Sequence, residues 1–107
     1  MLYISDYINN LNDEGKDIKT VNAYRTILSQ FINWYATSNS DLCIAKIKPI
    51  DIKDYISYLK HRLQRRQSTI NKSIACLKTY FSYLIRRKLI ANNPMINIKI
   101  QKQDFLS

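Results

Sequence analysis

Turn-forming residues are scarce in this chain. Gly15, Pro49 and Pro94 are all the glycine and proline in 107 residues. All-β and doubly wound folds need many tight turns, so this scarcity argues against them and for a few long helices joined by short links. Cysteine is scarce too. Cys43 and Cys76 form no CxxC pair, and His61 is the only histidine, which argues against a metal site and for free thiols in a reducing cytoplasm. No signal peptide opens the chain, and no apolar run reaches the roughly 18 residues of a membrane span, so no membrane-spanning segment is expected. A glycine-rich phosphate loop, a clustered carboxylate pair and a nucleophile–base pair are all missing, so the sequence offers neither a catalytic site nor a cofactor site.

The most informative shortage is of negative charge. Residues 1–54 hold six Lys/Arg and seven Asp/Glu, a balance of −1, whereas residues 55–107 hold eleven Lys/Arg against Asp104 alone, a balance of +10. The two halves sum to the net charge of +9, and no carboxylate lies between Tyr55 and Gln103. So one-sided a field repels itself unless a polyanion is the normal partner. Nucleic acid is the leading candidate, narrowed to double-stranded DNA by the helix faces and the resemblance below, and an anionic membrane surface is the second.

What is present is helical. Hydrophobic residues make up 46% of the chain, enough for a core in one domain of this size. A first helix is expected over about Leu2–Asp13 on Ile4, Ile8 and Leu11, with Gly15 as a left-handed stop. A second runs over about Val21–Ser38 on Val21, Tyr24, Leu28, Phe31 and Tyr35, with Thr20 as N-cap. Asn39–Lys48 reads as a link that tucks in Leu42, Ile44 and Ile47. A third helix starts at Pro49, with Asp51 and Asp54 near its positive end, and buries Ile52, Tyr55, Ile56, Leu59 and Leu63. The fourth follows Ser68 as N-cap and carries Ile70, Ile74, Leu77, Phe81 and Leu84, ending near Arg86-Arg87-Lys88. After Asn92-Asn93-Pro94 the alternation of Ile96, Ile98 and Ile100 reads as an extended strap.

Function is expected on the polar faces. Opposite its apolar stripe the fourth helix shows Asn71, Lys72, Ala75, Lys78, Thr79, Ser82 and Arg86, with Arg65, Arg66, Ser68 and Thr69 at its entrance. Cations for phosphates, an Asn for base edges and small residues that permit close approach are what a helix in a DNA major groove requires. The second helix offers Lys19, Thr20, Asn22, Arg25, Thr26, Ser29 and Gln30. The same cations could merely solvate a helix face. Solvated faces usually mix both signs, however, and here the acids are missing. His61 reads as a surface residue, and Tyr24, Tyr35 and Tyr55 as packing groups rather than nucleophiles.

These residues form a recognisable run. Thr20, Tyr24-Arg25, Leu28 and Phe31 resemble the T-x-x-x-Y-R-x-x-L-x-x-F pattern of tyrosine recombinase (phage integrase) core-binding domains, although Ile27 stands where the family often has Asp. Asp51-Ile52-Lys53-Asp54-Tyr55-Ile56 resembles its D-I-x-x-Y-I stretch. The best match is Ser68-Thr69-Ile70-Asn71 followed by Ile74, Leu77, Lys78, Phe81 and Tyr83, and Asn93-Pro94 is similar to the family's N-P exit. The resemblance implies an all-α, four-helix SAM-like bundle over residues 1–94, with 95–107 as a linker toward an absent catalytic domain. It implies DNA contacts from Lys19, Thr20, Asn22 and Arg25 on the second helix and from Thr69, Asn71, Lys72, Lys78 and Thr79 on the fourth. Arg65 and Arg66 join them on grounds of charge. The family's catalytic Arg, Lys, H-x-x-R and tyrosine have no counterpart here, since His61-Arg62-Leu63-Gln64 does not fit. The fragment is therefore expected to be inactive alone and monomeric, and the full-length recombinase a tetramer on bacterial, nucleoid-associated DNA. Two other readings fit the composition: a free-standing helical transcription regulator and a helical protein-interaction domain.

Overall fold

The computed structural model describes residues 3–38 and 43–100, and there the chain is all-α, with four α-helices and no strand. It divides into two compact units between Lys46 and Ile47.

The first unit holds α1 (Ile4–Asp13), α2 (Ile18–Ser38) and a 3₁₀ turn at Ile44–Lys46. α1 packs on α2, and most of the expected stripes are buried, Ile8 and Leu11, then Val21, Leu28, Phe31 and Tyr35, while Ile4 and Tyr24 are half-buried. Tyr7 and Ile32 are buried as well, and Ile44 tucks in as expected, while Leu42 lies outside the described residues. The Phe31 ring lies 6.2 Å from both Trp34 and Tyr35. α1 ends as its glycine foretold. Gly15 takes a φ of 77°, Lys16 N–H donates to Leu11 C=O (3.1 Å), and Gly15 N–H donates to Asn12 C=O (3.0 Å). These two bonds are the Schellman pattern, which satisfies the last carbonyls of a helix. Thr20 is not the N-cap of α2. The helix is already wound at Ile18, and Val21 N–H donates to Asp17 C=O (3.0 Å), which leaves Thr20 in the first turn. The tight reversal at Gly15 delivers the chain into helical geometry earlier than residue type suggested.

The second unit holds α3 (Pro49–Ser57), a π-helical turn (Tyr58–Arg62) and α4 (Gln67–Arg86). Pro49 opens α3 as expected, and the Asp51 carboxylate accepts the Lys48 N–H at 2.8 Å. The expected third helix continues to Arg62, but its last turn winds wide, with Leu63 N–H donating to Tyr58 C=O, five residues back. Gln64 then turns left-handed (φ 52°), and Arg65 N–H donates to Leu59 C=O. Ser68 is not the N-cap of α4, because Arg66, in extended conformation, holds that position and Ser68 lies in the first turn. α4 buries Ile70, Ile74, Leu77, Phe81 and Leu84, the expected stripe, and with them Ser73, Cys76, Tyr80 and Tyr83. At about 1.5–3 kcal/mol for each large apolar side chain, this helix carries much of the unit's stabilisation. It ends where expected, through a second Schellman pair: Leu89 N–H to Leu84 C=O and Lys88 N–H to Ile85 C=O, with Lys88 at φ 58°.

Beyond α4 the chain turns. Asn93 Oδ1 accepts the Met95 N–H (2.9 Å), and Ile96 N–H donates to Asn93 C=O. The expected extended strap is not what forms: Ile98 N–H donates to Met95 C=O in a continuing turn, and instead of sharing one face the three isoleucines divide, with Ile98 buried and Ile96 and Ile100 exposed.

Candidate nucleic-acid interface

The breadth of the buried arc on α4 decides what is left outside. With nine residues of the helix buried, the outward strip is narrow: Lys72, Ala75, Thr79, Ser82 and Arg86, spaced three and four apart along one face. Lys72, Thr79, Ser82 and Arg86 are exposed and Ala75 is half-buried. Asn71 and Lys78 are half-buried and stand on the rim of the strip. Lys78 sits there because Cys76, Leu77, Tyr80 and Phe81 around it are all buried. Its ammonium reaches water along an aliphatic stem.

Two side chains of this face are already oriented. The Thr79 hydroxyl donates to the Cys76 carbonyl oxygen (2.9 Å) and lies 3.3 Å from that of Ala75. With its proton turned to the helix, it meets a base edge as an acceptor. Gln67 Nε2 donates to Asn71 Oδ1 (3.0 Å), which fixes the amide of Asn71. Bidentate reading of adenine by Asn71 requires that bond to be exchanged.

The entrance of α4 is cationic. Every residue from Lys60 to Arg66 is exposed, and Lys60, Arg62, Arg65 and Arg66 lie in that run with His61. No side chain caps the first turn of α4. Its outward N–H groups and helix dipole add to the arginine field and favour an anion there. Thr69 is exposed in the same turn. At the other end Arg86, Arg87 and Lys88 are exposed, with the Arg87 guanidinium 5.8 Å from the Tyr83 ring centroid. The sequence reading gave Arg87 and Lys88 only a helix-ending role, although their charge was the signal that could have placed them on this surface.

On α2, Lys19, Asn22 and Arg25 are exposed and Thr20 is half-buried. Arg25 Nη1 donates to Asn22 Oδ1 (3.2 Å), so the two form a tethered pair one turn long. Thr26 bonds back to the Asn22 carbonyl oxygen (3.1 Å).

The tyrosines behave as packing groups. Tyr35 and Tyr55 are buried, and Tyr24 is half-buried. Burial, with the adjacent Tyr58, pushes the Tyr55 phenol up to about 12, and burial raises Tyr80 further still. The Cys76 thiol is likewise raised by burial, to about 12, which makes it inert rather than nucleophilic at neutral pH. No helix of the described residues is long and apolar enough to cross a membrane.

The family model for the phage integrase N-terminal SAM-like domain matches residues 4–88. The chain is 36% identical over 99 residues to a tyrosine recombinase of Agathobacter rectalis, covering 92% of this chain and 30% of that protein. It is 32% identical over 85 residues to tyrosine recombinase XerC of Leptospira interrogans, covering 78% and 26%. It is 30% identical over 94 residues to the TnP I resolvase of Bacillus thuringiensis, covering 83% and 33%. The chain thus spans between a quarter and a third of the length of these relatives. No solved structure matches it.

Proposed function

Since this chain belongs to the phage integrase family as its N-terminal SAM-like domain, we propose that it is the core-binding part of a site-specific tyrosine recombinase and grips duplex DNA through α2 and α4. The observation that carries this reading is the outer strip of α4. Lys72 and Arg86 lie on one exposed line, with the small Ala75, Thr79 and Ser82 between them, in a stretch of sequence without a single carboxylate. A strip of this kind brings the helix backbone close to a groove floor while its cations meet phosphates on either side. Arg65, Arg66 and the uncapped amides of α4 supply a further phosphate position, and Lys19 with the Asn22–Arg25 pair supplies a second set of contacts from α2. Asn71, Thr69 and Thr79 are the groups suited to base edges, and Lys78 and Thr20 support them from the rim. Residues 95–107 lead toward the catalytic portion. Met95 and Ile98, both buried, fasten the start of that path to the second unit. Strand exchange belongs to the full-length enzyme, assembled as a tetramer on its site.

The test is duplex binding measured across a salt series. The wild-type domain should bind weakly, with log K falling by about 0.9 per phosphate contact for each tenfold rise in salt. Lys72→Ala and Arg86→Ala should each weaken binding roughly 3- to 10-fold and lower the salt slope by about one contact. Lys78→Ala, at the rim, should do less. Unchanged low-salt affinity in both of the first two variants would remove α4 from the interface.

A further inference from the structure

Both asparagines of the candidate interface are held by a neighbour through the same atom. On α4, Gln67 Nε2 donates to Asn71 Oδ1 at 3.0 Å. On α2, Arg25 Nη1 donates to Asn22 Oδ1 at 3.2 Å. A side-chain amide has one acceptor oxygen and a nitrogen with two protons. With the oxygen engaged, the end turned to a base is the donor end.

The two pairs differ in how firmly they are held. Asn22 and Arg25 are both exposed, and a guanidinium exchanges a neutral oxygen for a phosphate readily. Gln67 and Asn71 are both half-buried. They stand one turn apart on α4, the spacing at which Gln and Asn side chains meet. Gln67 is the first residue of that helix, directly after the Arg66 N-cap, and no side chain caps the helix start. Its amide is therefore not spent on the first-turn N–H groups but reaches forward to Asn71. Gln67 also lines one depression with Ile56, Ile70 and Ile74. These branched neighbours restrict its rotamers, so holding the amide in place costs little further entropy.

The consequence is for the base that Asn71 reads. Adenine presents an acceptor at N7 and a donor at N6, which an amide matches by using both of its ends. Guanine presents two acceptors, N7 and O6. An amide limited to its nitrogen suits guanine and forgoes the N6 bond of adenine. We propose that Gln67 is a positioning residue for DNA specificity: it holds Asn71 with Nδ2 outward, so that the domain prefers guanine to adenine at the base pair facing Asn71. The inference rests on the reading that α4 lies in the major groove. Gln67 acts through Asn71 and not on the base itself.

Selection of duplexes from a random pool by the full 107-residue chain, at about 0.05 M salt, tests it, followed by titration of the selected duplex and its single-pair exchanges. Asn71→Ala locates the base pair, because preference there should flatten. At that pair wild type should favour guanine over adenine about threefold or more. Gln67→Met keeps the length and removes the amide, which frees Asn71 Oδ1. The guanine-to-adenine ratio should then shift toward adenine by about threefold or more. In Gln67→Glu the carboxylate accepts from Asn71 Nδ2 and turns the oxygen outward, so the ratio should shift the same way, while the added charge weakens binding to all sequences alike. A glutamate suits the first turn of a helix, and circular dichroism checks the fold of each variant. Should Gln67→Met not fold, Gln67→Ala gives the same reading. Lys72→Ala is the control, since loss of a phosphate contact weakens every sequence and leaves the ratio alone.

A pair that only stabilises the helix would lower stability in the Gln67 variants and leave the base ratio where it was. That result, a wild-type preference for adenine, or an Asn71→Ala variant that flattens no position would each overturn the proposal. In all three cases duplex binding that Lys72→Ala still weakens would leave α4 in the groove. Absence of duplex binding at low salt would overturn both readings.

Discussion

Single residues set the ends of these helices, and three of them do so against their own preference: Tyr3 at the start of α1 (φ 59°), Gln64 after the π turn and Lys88 after α4. Lys88 and Gln64 hold left-handed backbone with φ of 58° and 52°, where a Cβ costs roughly 1–2 kcal/mol. Lys88→Gly should therefore raise stability by about 1 kcal/mol, read as a rise of roughly 4–8 °C in Tm for a domain of this size, while removing one cation from the end of α4. No change, or a loss, would mean that the lysine stem contributes packing that offsets the strain. The same residues show where sequence reading stops. Gly15 announces its turn because glycine is the cheap solution there. Lys88 and Gln64 announce nothing, because the geometry is imposed by Leu89 and Arg65 reaching back to the carbonyls of Leu84 and Leu59. The buried stripes were legible for the opposite reason: Ile70, Ile74, Leu77, Phe81 and Leu84 recur at the period of the helix itself. The burial of Ser73, Cys76, Tyr80 and Tyr83 beside them was not legible. It narrows the outer strip and moves Lys78 from its middle to its rim.

At the scale of elements, all four helices were readable from apolar spacing, and their ends were the weakest point: Leu63, expected on the buried face of the third helix, is exposed past the π turn, and Ile56 is half-buried. Thr20 and Ser68 are good capping types, yet α2 and α4 begin before them because the preceding turns return the chain to helix at once. α3 is the case in which local chemistry and structure agree. Pro49 supplies the first-turn φ, and Asp51 accepts the Lys48 N–H at 2.8 Å. Asp51→Ala leaves that donor without its partner and removes a carboxylate from the positive end of the dipole, so a cost of about 0.5–2 kcal/mol is expected in chemical denaturation. Asp51→Asn, which keeps an acceptor oxygen, should recover part of it. Equal losses in both variants would assign the effect to charge rather than to the bond.

For the molecule as a whole, the groups most displaced in their titration are all in the second unit and all shifted the same way. Cys76 rises from 9.0 to about 12 and Tyr55 from 10.0 to about 12, with Tyr80 raised further, in each case chiefly by burial. Because the folded state holds these protons more tightly than the unfolded chain, their contribution is complete below about pH 9 and is lost as pH climbs toward 12. Urea midpoints measured at constant salt should be flat to about pH 9 and then fall, and Cys76→Ala should lose the earliest part of the fall. A flat midpoint to pH 11 would show that the core admits the charged forms. The overall charge asymmetry was the clearest functional signal in the sequence, since it needs no knowledge of how helices are placed. Which cations share a strip, by contrast, depends on the width of the buried arc, and that emerges only when the packing is seen.

The wide turn at Tyr58–Arg62 has a bearing on how this chain can change over evolutionary time. A π turn is an α-helix holding one surplus residue. A one-residue deletion in a regular helix rotates everything beyond it, whereas a deletion here would let the backbone relax into ordinary winding. The segment is thus a natural slack point. Lineages can gain or lose a residue between α3 and the arginines that precede α4, and so re-aim that basic approach without rebuilding either helix.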